Sequence, residues 1–359
     1  MAIIDKPSDY FNTKIYTGNS GSQTLSMANI GLAWFKSRGD SGGQLLFDIM
    51  RGGNGTNNQE PILKSNASTK DQGSDITAAG GLVFGSSSTS VGTDNGGYNY
   101  NGNGNEYVNW HWRVGTSFTN DASSTGIGTI DSAGNFNNTN GCSVVLYTGT
   151  GSNGTVKHGL NTAPKMIIIK RTDSGGGWPV WHSVPGAINE IVELNNTGAQ
   201  QNGSSYFNNS APTSSVFPLA TSGDLNANGG IFIAYCFAEK QSFSKFGSYK
   251  GNGNANGTFV YTGMKPSFVM LKKTNGTGNW QMFDNKRLGY NPDNDVLRAN
   301  LSNAECNSCV KIDMLSNGFK LRNTDGDGNT SGGTYLYMSF ADNPFVTSTD
   351  NGSIPACAR

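Results

Sequence analysis

The same succession of short segments occurs three times along the chain, and this internal repeat limits the fold more than any other feature. The second copy contains YTGTGSNG, APKMIIIKR, GGGWPVWHS, VELNN and GGIFIAYCFA. The third contains YKGNGNANG, SFVMLKK, GTGNWQMFD, VLRAN and GGTYLYMSFA, and the first contains YTGNSGS, IGLAWFKSR, GGQLLFD, ILKSN and NEYVNWHWR. A fixed order of similar segments is typical of a duplicated structural unit.

The spacing between these segments is similar in the three copies. In each copy a lysine ends the first long apolar run and an aromatic residue ends the last run. The distance is 67 residues in the second copy, 68 in the third and 76 in the first, measured from Lys170 to Phe237, Lys272 to Phe340 and Lys36 to Trp112. The polar insert SSSTSVGTDNGGYNYNGNGN lengthens the first copy. Three modules of roughly domain size are therefore predicted.

Each module is predicted to consist of strands. The runs LAWFK, MIIIK and FVMLK are short, rich in β-branched and aromatic residues, and bounded by Gly, Pro or Asn. The runs IFIAYCFA and TYLYMSFA alternate large and small residues, which predicts strands with one buried face. The 50 glycines supply many turns. The sequence therefore predicts an all-β chain of three repeated small antiparallel β-sandwich or jelly-roll modules.

The predicted boundaries follow the repeats. Module 1 covers residues 1–120, a linker covers 121–140, module 2 covers 141–240, and module 3 covers 241–346. The residues 347–359 form a polar C-terminal tail that we interpret as a contact arm.

Charge and hydropathy patterning argue against nucleic-acid and membrane functions. The chain has 25 basic and 25 acidic residues, so it lacks the basic surface that a phosphate backbone requires. No stretch reaches the roughly 18 to 20 consecutive apolar residues that a membrane span needs. The N-terminal sequence MAIIDKPSDYFNTK has no apolar signal region, and we therefore expect synthesis in a cytoplasm.

No set of residues predicts catalysis. Paired carboxylates, a Ser–His–Asp set and a metal cluster are not recognisable, and the glycine-rich loop TGTGSNG lacks the lysine and serine of a phosphate-binding loop. Five cysteines (Cys142, Cys236, Cys306, Cys309 and Cys357) are too few for a disulfide framework. Cys306 and Cys309 form a CxxC pair without further metal ligands or a following helix, so we assign it no function. We predict a non-enzymatic protein without a cofactor.

Four residues are candidates for contact with a ligand or a host surface. Trp178 and His182 in the second copy correspond to Trp280 and Asp284 in the third, and each pair lies just after a turn. Aromatic faces stack on sugar rings, and polar side chains bind hydroxyl groups. The alternative is that the tryptophans fill the core and the polar residue caps a turn, which is the commoner arrangement.

One short segment resembles the start of a calcium loop. Asp325, Asp327 and Asn329 have the spacing of the first three ligands. However, Thr330 stands where such a loop has glycine, and Leu336 stands where it has a bidentate glutamate. A polar loop is therefore favoured, and a weak calcium site is the alternative.

Long stretches of the chain resemble a domain family of virion proteins from marine tailed phages, including phages of marine cyanobacteria. The resemblance rests on IDKPSDYFNTKIYTGN, HGLNTAPKMIIIKR, YCFAEKQSFSKFGSYKGNGNANGTFVYTG and SGGTYLYMSFADNPFV, and it runs from residue 4 to about residue 346. It implies a structural or host-contacting component of the virion, made in the host cytoplasm, with no established catalytic residues to transfer.

The resemblance leaves the position on the particle open. Exposed polar loops suit glycan contact and favour a tail fibre or receptor-binding adhesin. The first module begins within about 15 residues of Met1, which leaves almost no separate anchor and favours a capsid decoration or knob protein. A carbohydrate-binding part of a secreted glycan hydrolase is a third alternative. The expected partners are other virion proteins, a host-surface glycan or protein, and further copies of the chain, with a trimer favoured.

Overall fold

The structure is a computed structural model that describes residues 3–52, 61–72, 81–94, 97–184, 190–287, 291–292 and 295–344. Strands predominate in these residues, which confirms the all-β prediction. A three-residue 3-10 turn lies at Pro7–Asp9, and the described helices have four residues each: α1 (Ala122–Thr125), α2 (Ser204–Phe207) and α3 (Gly223–Asn226). The predicted tail at 347–359 lies outside the described residues.

The strands follow the three copies of the sequence repeat. Repeat 1 contains β1 (Phe11–Thr17), β2 (Gln23–Leu25), β3 (Ile30–Ser37), β4 (Leu45–Asp48), β5 (Leu63–Lys64), β6 (Leu82–Phe84), β7 (Thr89–Val91) and β8 (Glu106–Arg113). Repeat 2, with the strands that precede it, contains β9 (Thr116–Asn120), β10 (Ser132–Asn137), β11 (Cys142–Thr148), β12 (Gly154–Lys157), β13 (Met166–Arg171), β14 (Pro179–His182), β15 (Glu190–Glu193), β16 (Gln201–Asn202), β17 (Val216–Leu219) and β18 (Ile231–Phe237). Repeat 3 contains β19 (Ser244–Lys250), β20 (Phe259–Tyr261), β21 (Met264–Lys273), β22 (Gln281–Asp284), β23 (Ile312–Leu315), β24 (Gly318–Leu321) and β25 (Thr334–Pro344).

Three large antiparallel sheets share one pattern of strand order. The orders are β1-β8-β3-β4-β5 in repeat 1, β16-β15-β14-β13-β18-β11-β10-β9 in repeat 2, and β19-β25-β21-β22 in repeat 3. In each sheet the last strand of the repeat (β8, β18 or β25) lies between the first strand and the long apolar strand. Small sheets of order β2-β7-β6, β12-β17 and β20-β24-β23 accompany them.

The segment predicted as a linker, residues 121–140, belongs to the second large sheet instead. It contains α1 and β10, and β10 pairs with β11 on one side and with β9 on the other. The strand β10, with the sequence SAGNFN, has mostly small and polar residues because most of its positions are only partly buried. The apolar alternation that identifies an interior strand is therefore missing from this edge region.

The central strands of the large sheets are buried on both faces. In β13, Ile167 and Ile169 pack in a core within repeat 2, whereas Met166 and Ile168 pack in a core to which all three repeats contribute. The strands β8, β18 and β25 divide their side chains in the same way. The expectation of one buried face for IFIAYCFA and TYLYMSFA was therefore wrong, because the second face packs against the neighbouring repeats.

An aromatic triangle lies in the core that the repeats share. It consists of Trp112, Phe237 and Phe340, which occupy corresponding positions in β8, β18 and β25. The ring centroids are 5.6 Å apart for Trp112 and Phe237, 5.5 Å for Trp112 and Phe340, and 6.0 Å for Phe237 and Phe340. Phe11 stacks on Phe340 at 4.9 Å, and Phe268 lies beside them. The three repeats therefore pack around one aromatic centre.

We expect the change Phe340→Ala to lower the free energy of unfolding by about 3–5 kcal/mol, because it leaves a cavity where the three repeats meet. The matched control is Phe259→Ala, since Phe259 is 44% exposed, and its effect should stay within about 0.5 kcal/mol. Urea unfolding followed by tryptophan fluorescence measures both values. Similar small losses for the two variants would contradict the shared core.

Candidate functional site

The two tryptophans proposed as contact residues lie in the interior. Trp178 and Trp280 are fully buried in the core that the repeats share. Trp178 Nε1 donates to Ala67 O at 3.0 Å, and Trp280 Nε1 donates to Glu193 O at 2.9 Å. The host-contact prediction for these side chains was wrong, because each packs and hydrogen-bonds against the preceding repeat.

Gln44 takes the corresponding position in repeat 1. Its Nε2 donates to Arg298 O of repeat 3 at 2.8 Å, and its Oε1 accepts from Trp34 Nε1 at 2.8 Å. Gln44 of repeat 1 thus bonds to repeat 3, Trp178 of repeat 2 bonds to repeat 1, and Trp280 of repeat 3 bonds to repeat 2. These three hydrogen bonds close the repeats into a ring.

The polar residue that ends the fourth strand of each repeat makes a second set of contacts, in the opposite direction. Asp48 accepts from Tyr235 Oη of repeat 2 at 2.8 Å. His182 Nε2 donates to Tyr337 O of repeat 3 at 3.1 Å. The third such contact joins Asp284 Oδ2 to Trp110 Nε1 of repeat 1 at 3.0 Å. The contact prediction for His182 and Asp284 was therefore also wrong, because both side chains join buried surfaces of two repeats.

Asp48, His182 and Asp284 also accept hydrogen bonds from the turns that follow their strands. This is the turn-capping arrangement that is the commoner alternative for such residues. Asp48 accepts from the backbone N–H of Arg51 at 3.0 Å and pairs with its guanidinium. Asp284 does the same with Arg287, also at 3.0 Å. His182 Nδ1 accepts from Val184 N at 3.1 Å. Burial lowers the pKa of His182 to about 4, so the imidazole is neutral at physiological pH.

The other two histidines are also buried and neutral. His158 Nε2 donates to Thr213 O at 3.1 Å, and His111 Nδ1 lies 2.9 Å from Asn109 Oδ1. Burial lowers the pKa of His158 to about 4 and that of His111 to about 3. The histidines therefore act as hydrogen-bonding groups of the interior.

The three residues of the calcium alternative point to different partners. Asp327 Oδ1 accepts from Asn279 N at 3.0 Å, and its Oδ2 accepts from Gln281 Nε2 at 3.0 Å. Asp325 Oδ1 accepts from Asp327 N at 2.8 Å. Asn329 is fully buried and bonds to a different loop. The described residues contain no group of three His, Cys, Asp or Glu that could hold a metal ion, and the geometry favours the polar-loop alternative.

Asn329 is one of three buried asparagines whose role sequence reasoning missed. Each side-chain oxygen accepts from a backbone N–H in the glycine-rich loop after the first strand of its repeat, at 2.8 to 3.1 Å. The pairs are Asn101 with Asn19, Asn226 with Thr150, and Asn329 with Asn252. A signal was present, because each asparagine stands five positions before the last strand of its repeat.

Three buried lysines and one buried glutamate were also missed. Lys36, Lys170 and Lys272 are the last but one residues of the long apolar strands and donate to backbone carbonyls. Burial lowers the pKa of each to about 8. Burial and the carboxylate of Asp224 raise the pKa of Glu193 to about 7, against the effect of the Trp178 N–H and of Lys170. These ionisable groups lie between the loops and the core.

A pair of aromatic side chains does reach the surface. Phe259 and Tyr261 on β20 are 44% and 59% exposed, whereas Val260 between them is buried. The two side chains point to the same face of the strand. Lys320 and Gly318 lie opposite them on β24. In the described residues the only other exposed large apolar residue is Ile231.

A surface cleft of about 340 Å³ lies between the start of the chain and the segment that joins repeats 2 and 3. Its lining is polar and includes Asn138, Asn161 and Lys240, with Ile4 as the apolar member. This cleft has no aromatic side chain. The β20 pair is therefore the better candidate for a stacking contact.

Together, the three sheets, their shared core and their internal polar contacts define an all-β protein in which Trp178, His182, Trp280 and Asp284 pack and hydrogen-bond in the interior. A family model described as a domain of unknown function (DUF7483) matches residues 6–344. The chain therefore belongs to the DUF7483 family. No curated protein matches the chain.

Helices of membrane-spanning length and hydropathy are not found among the described residues.

We expect Trp178→Ala to lower the free energy of unfolding by about 3–5 kcal/mol. Trp178→Phe should cost less, about 1–3 kcal/mol, because it keeps most of the packing and loses the hydrogen bond to Ala67 O. Tyr261→Ala is the control at an exposed aromatic position. Chemical denaturation measures all three. A Trp178→Ala variant with the free energy of unfolding of the wild type would contradict the structural role and favour the predicted ligand contact.

The raised pKa of Glu193 predicts a pH dependence of stability. The folded chain holds this proton to about pH 7, whereas an unfolded glutamate loses it near pH 4.3. The stability that the protonated group contributes is present at pH 4 and is lost as the pH rises through 7. Glu193→Gln should remove this loss and raise the free energy of unfolding at pH 8 by up to about 3 kcal/mol.

Urea unfolding of the wild type and Glu193→Gln at pH 5, 6, 7 and 8 tests this expectation. Glu106→Gln is the control, since the Glu106 side chain is 62% exposed. Parallel pH curves for the wild type and Glu193→Gln would show that Glu193 is not the titrating group.

Proposed function

We propose that the chain is a non-enzymatic surface protein of a tailed-phage particle, and that it acts as a receptor-binding adhesin. The phage setting rests on the sequence resemblance described above. The structural observation that carries the adhesin role is the exposed pair Phe259 and Tyr261 on a strand whose other face is buried. Such a pair offers two ring faces to a ligand from a rigid support.

The interior supports a non-enzymatic role. His182 and Asp284, which were the polar candidates in the sequence, are hydrogen-bonded between repeats. Asp327 supports the loop before Trp280. A catalytic acid or base has to reach a substrate, whereas these groups face backbone and side chains of the chain itself.

The corresponding strand orders of the three large sheets support the proposal of three modules. The ring of contacts between them explains how a chain with few charges builds a rigid body. A homotrimer would need a further interface, because the contacts that join three modules are already made within one chain. The exposed outer strands and loops remain for partners.

We propose a host-surface glycan as the ligand of the β20 pair. On the three-stranded sheet the two exposed aromatic rings share one face with the partly exposed polar residues Lys320 and Asp313. Sugar rings present apolar C–H faces and hydroxyl groups together. This combination fits a mixed aromatic and polar surface better than it fits a purely apolar partner.

A capsid decoration protein is the second candidate. The observation that favours it is the closed arrangement of the three repeats, which gives a body without a fibrous shaft in the described residues. Copy number per particle separates the two roles. A receptor-binding protein is expected at tens of copies or fewer, and a decoration protein at hundreds.

Binding of the fluorescently labelled chain to cells of a marine bacterial host tests the adhesin role. The double variant Phe259→Ala/Tyr261→Ala should lose about tenfold or more in affinity, since two lost stacking contacts amount to about 1.4 kcal/mol or more. Ile231→Ala, at another exposed apolar position, should bind like the wild type. Flow cytometry over a concentration series gives the affinities.

Three outcomes are informative. Loss of binding only in the double variant supports both the role and the surface. Equal binding by all variants rejects the β20 surface and keeps the adhesin role. Absence of binding by the wild type, together with hundreds of copies per particle, rejects the adhesin role in favour of decoration.

A further inference from the structure

The closing seam, which we define as the contacts of Arg38, Gln44 and Ser65 with residues 298–305, differs from the other junctions between repeats. The chain passes directly from β8 into β9 and from β18 into β19. Within the described residues, repeat 3 meets repeat 1 without such a connection. The ring is therefore closed at this seam by side chains and loops alone.

Polar contacts are dense at the closing seam. Arg38 Nε and Nη2 donate to the two carboxylate oxygens of Glu305 at 2.8 and 3.1 Å. In return, Glu305 N donates to Arg38 O at 2.8 Å. Ser65 Oγ donates to Ala299 O at 2.6 Å. A two-pronged Arg–carboxylate pair is both strong and geometrically specific, so the position of Glu305 matters for closure.

The residue after Glu305, Cys306, takes part in a disulfide bond. Cys306 and Cys309 are bonded to each other, whereas the CxxC spacing alone assigned the pair no function. Cys306 N and O also bond to Val296 O and N at 2.9 and 3.0 Å. The disulfide bond and these two hydrogen bonds therefore hold the short segment that carries Glu305. The corresponding segments of repeats 1 and 2, NASTKDQ and NNTGAQQ, contain no cysteine.

The two sulfur atoms have different surroundings. Arg298 Nη2 donates to Cys309 Sγ at 2.8 Å in a partly buried contact. Cys306 Sγ lies on the exposed side, 3.8 Å from Ser308 Oγ. A guanidinium beside a sulfur stabilises a thiolate there. Cys306 is therefore the sulfur that an incoming thiol reaches, and Cys309 is the better leaving group.

We propose that Cys306 and Cys309 form a thiol–disulfide exchange site for low-molecular-weight thiols of the glutathione class. The redox state of this site controls how often the contacts of the closing seam open. Arg298 joins the two functions, because its guanidinium contacts Cys309 and its carbonyl oxygen accepts the seam hydrogen bond from Gln44. The inference does not depend on the proposed adhesin role.

The exchange reaction balances in atoms and electrons in each direction. In reduction, a thiolate attacks Cys306 Sγ, the bond between the two cysteine sulfurs breaks, and Cys309 leaves as a thiolate beside Arg298. A second thiolate then attacks the mixed disulfide at the sulfur of the bound thiol and releases Cys306. Two small thiols are oxidised to one small disulfide, and two cysteines are reduced. Oxidation by a small disulfide is the reverse.

The test uses the full chain equilibrated with reduced and oxidised glutathione under native conditions. Alkylation followed by peptide mass spectrometry reports the redox state of each cysteine. Cys306 and Cys309 should become alkylated together in reduced glutathione, whereas the buried Cys142 and Cys236 stay protected. Arg298→Gln should slow the reduction about tenfold by removing thiolate stabilisation. Arg322→Gln is the control at a more exposed arginine of the same repeat.

Hydrogen exchange at the Glu305 amide reports the closing seam. Reduction should accelerate its exchange about tenfold or more through local opening. The amide of Leu194, which bonds to Trp178 O in repeat 2, should be unaffected. Cys306→Ser/Cys309→Ser should reproduce the reduced pattern without any reductant. This variant separates the effect of the bond from any effect of glutathione itself.

Two results would overturn the proposal. A cysteine pair that resists glutathione in the folded chain, but reacts once the chain is unfolded, is not an exchange site. A pair that is reduced while Glu305 exchange stays unchanged does not control the seam.

Discussion

The contact of Trp112, Phe237 and Phe340 around one centre is the constraint on which the rest of the structure depends. Each ring comes from the last strand of its repeat, and that strand lies inside its sheet. The central strands of the large sheets are therefore mostly apolar on both faces. Polar residues are left to the loops, the edges and a few hydrogen-bonded interior positions.

Six of those interior polar positions act between repeats. Gln44, Trp178 and Trp280 each bond to one neighbouring repeat. The residues that end the fourth strands bond to the other neighbour, with Asp48 as the example in repeat 1. Buried polar groups are costly unless they are paired. These contacts therefore fix the relative placement of the repeats as well as filling the interior.

The all-β class and the positions of the main strands could be predicted from the sequence, because the repeated apolar segments form corresponding strands. The order of the strands within each sheet could not be predicted, because it depends on contacts between segments far apart in the chain. The register also places Asp48, His182 and Asp284 at corresponding positions, as the repeat alignment expected. For Trp178 and Trp280 the sequence left ligand contact and core filling open, with core filling the commoner arrangement. Whether a residue after a turn is exposed depends on what the next repeat covers, and no local pattern encodes that. The continuous run MIIIK was a missed sign of a strand buried on both faces.

Calorimetry of the full chain tests whether the three repeats share one core and unfold together. A shared core predicts a single transition whose calorimetric enthalpy equals the van't Hoff enthalpy. Three separate transitions, or a calorimetric enthalpy about three times the van't Hoff value, would show three independent domains and contradict it.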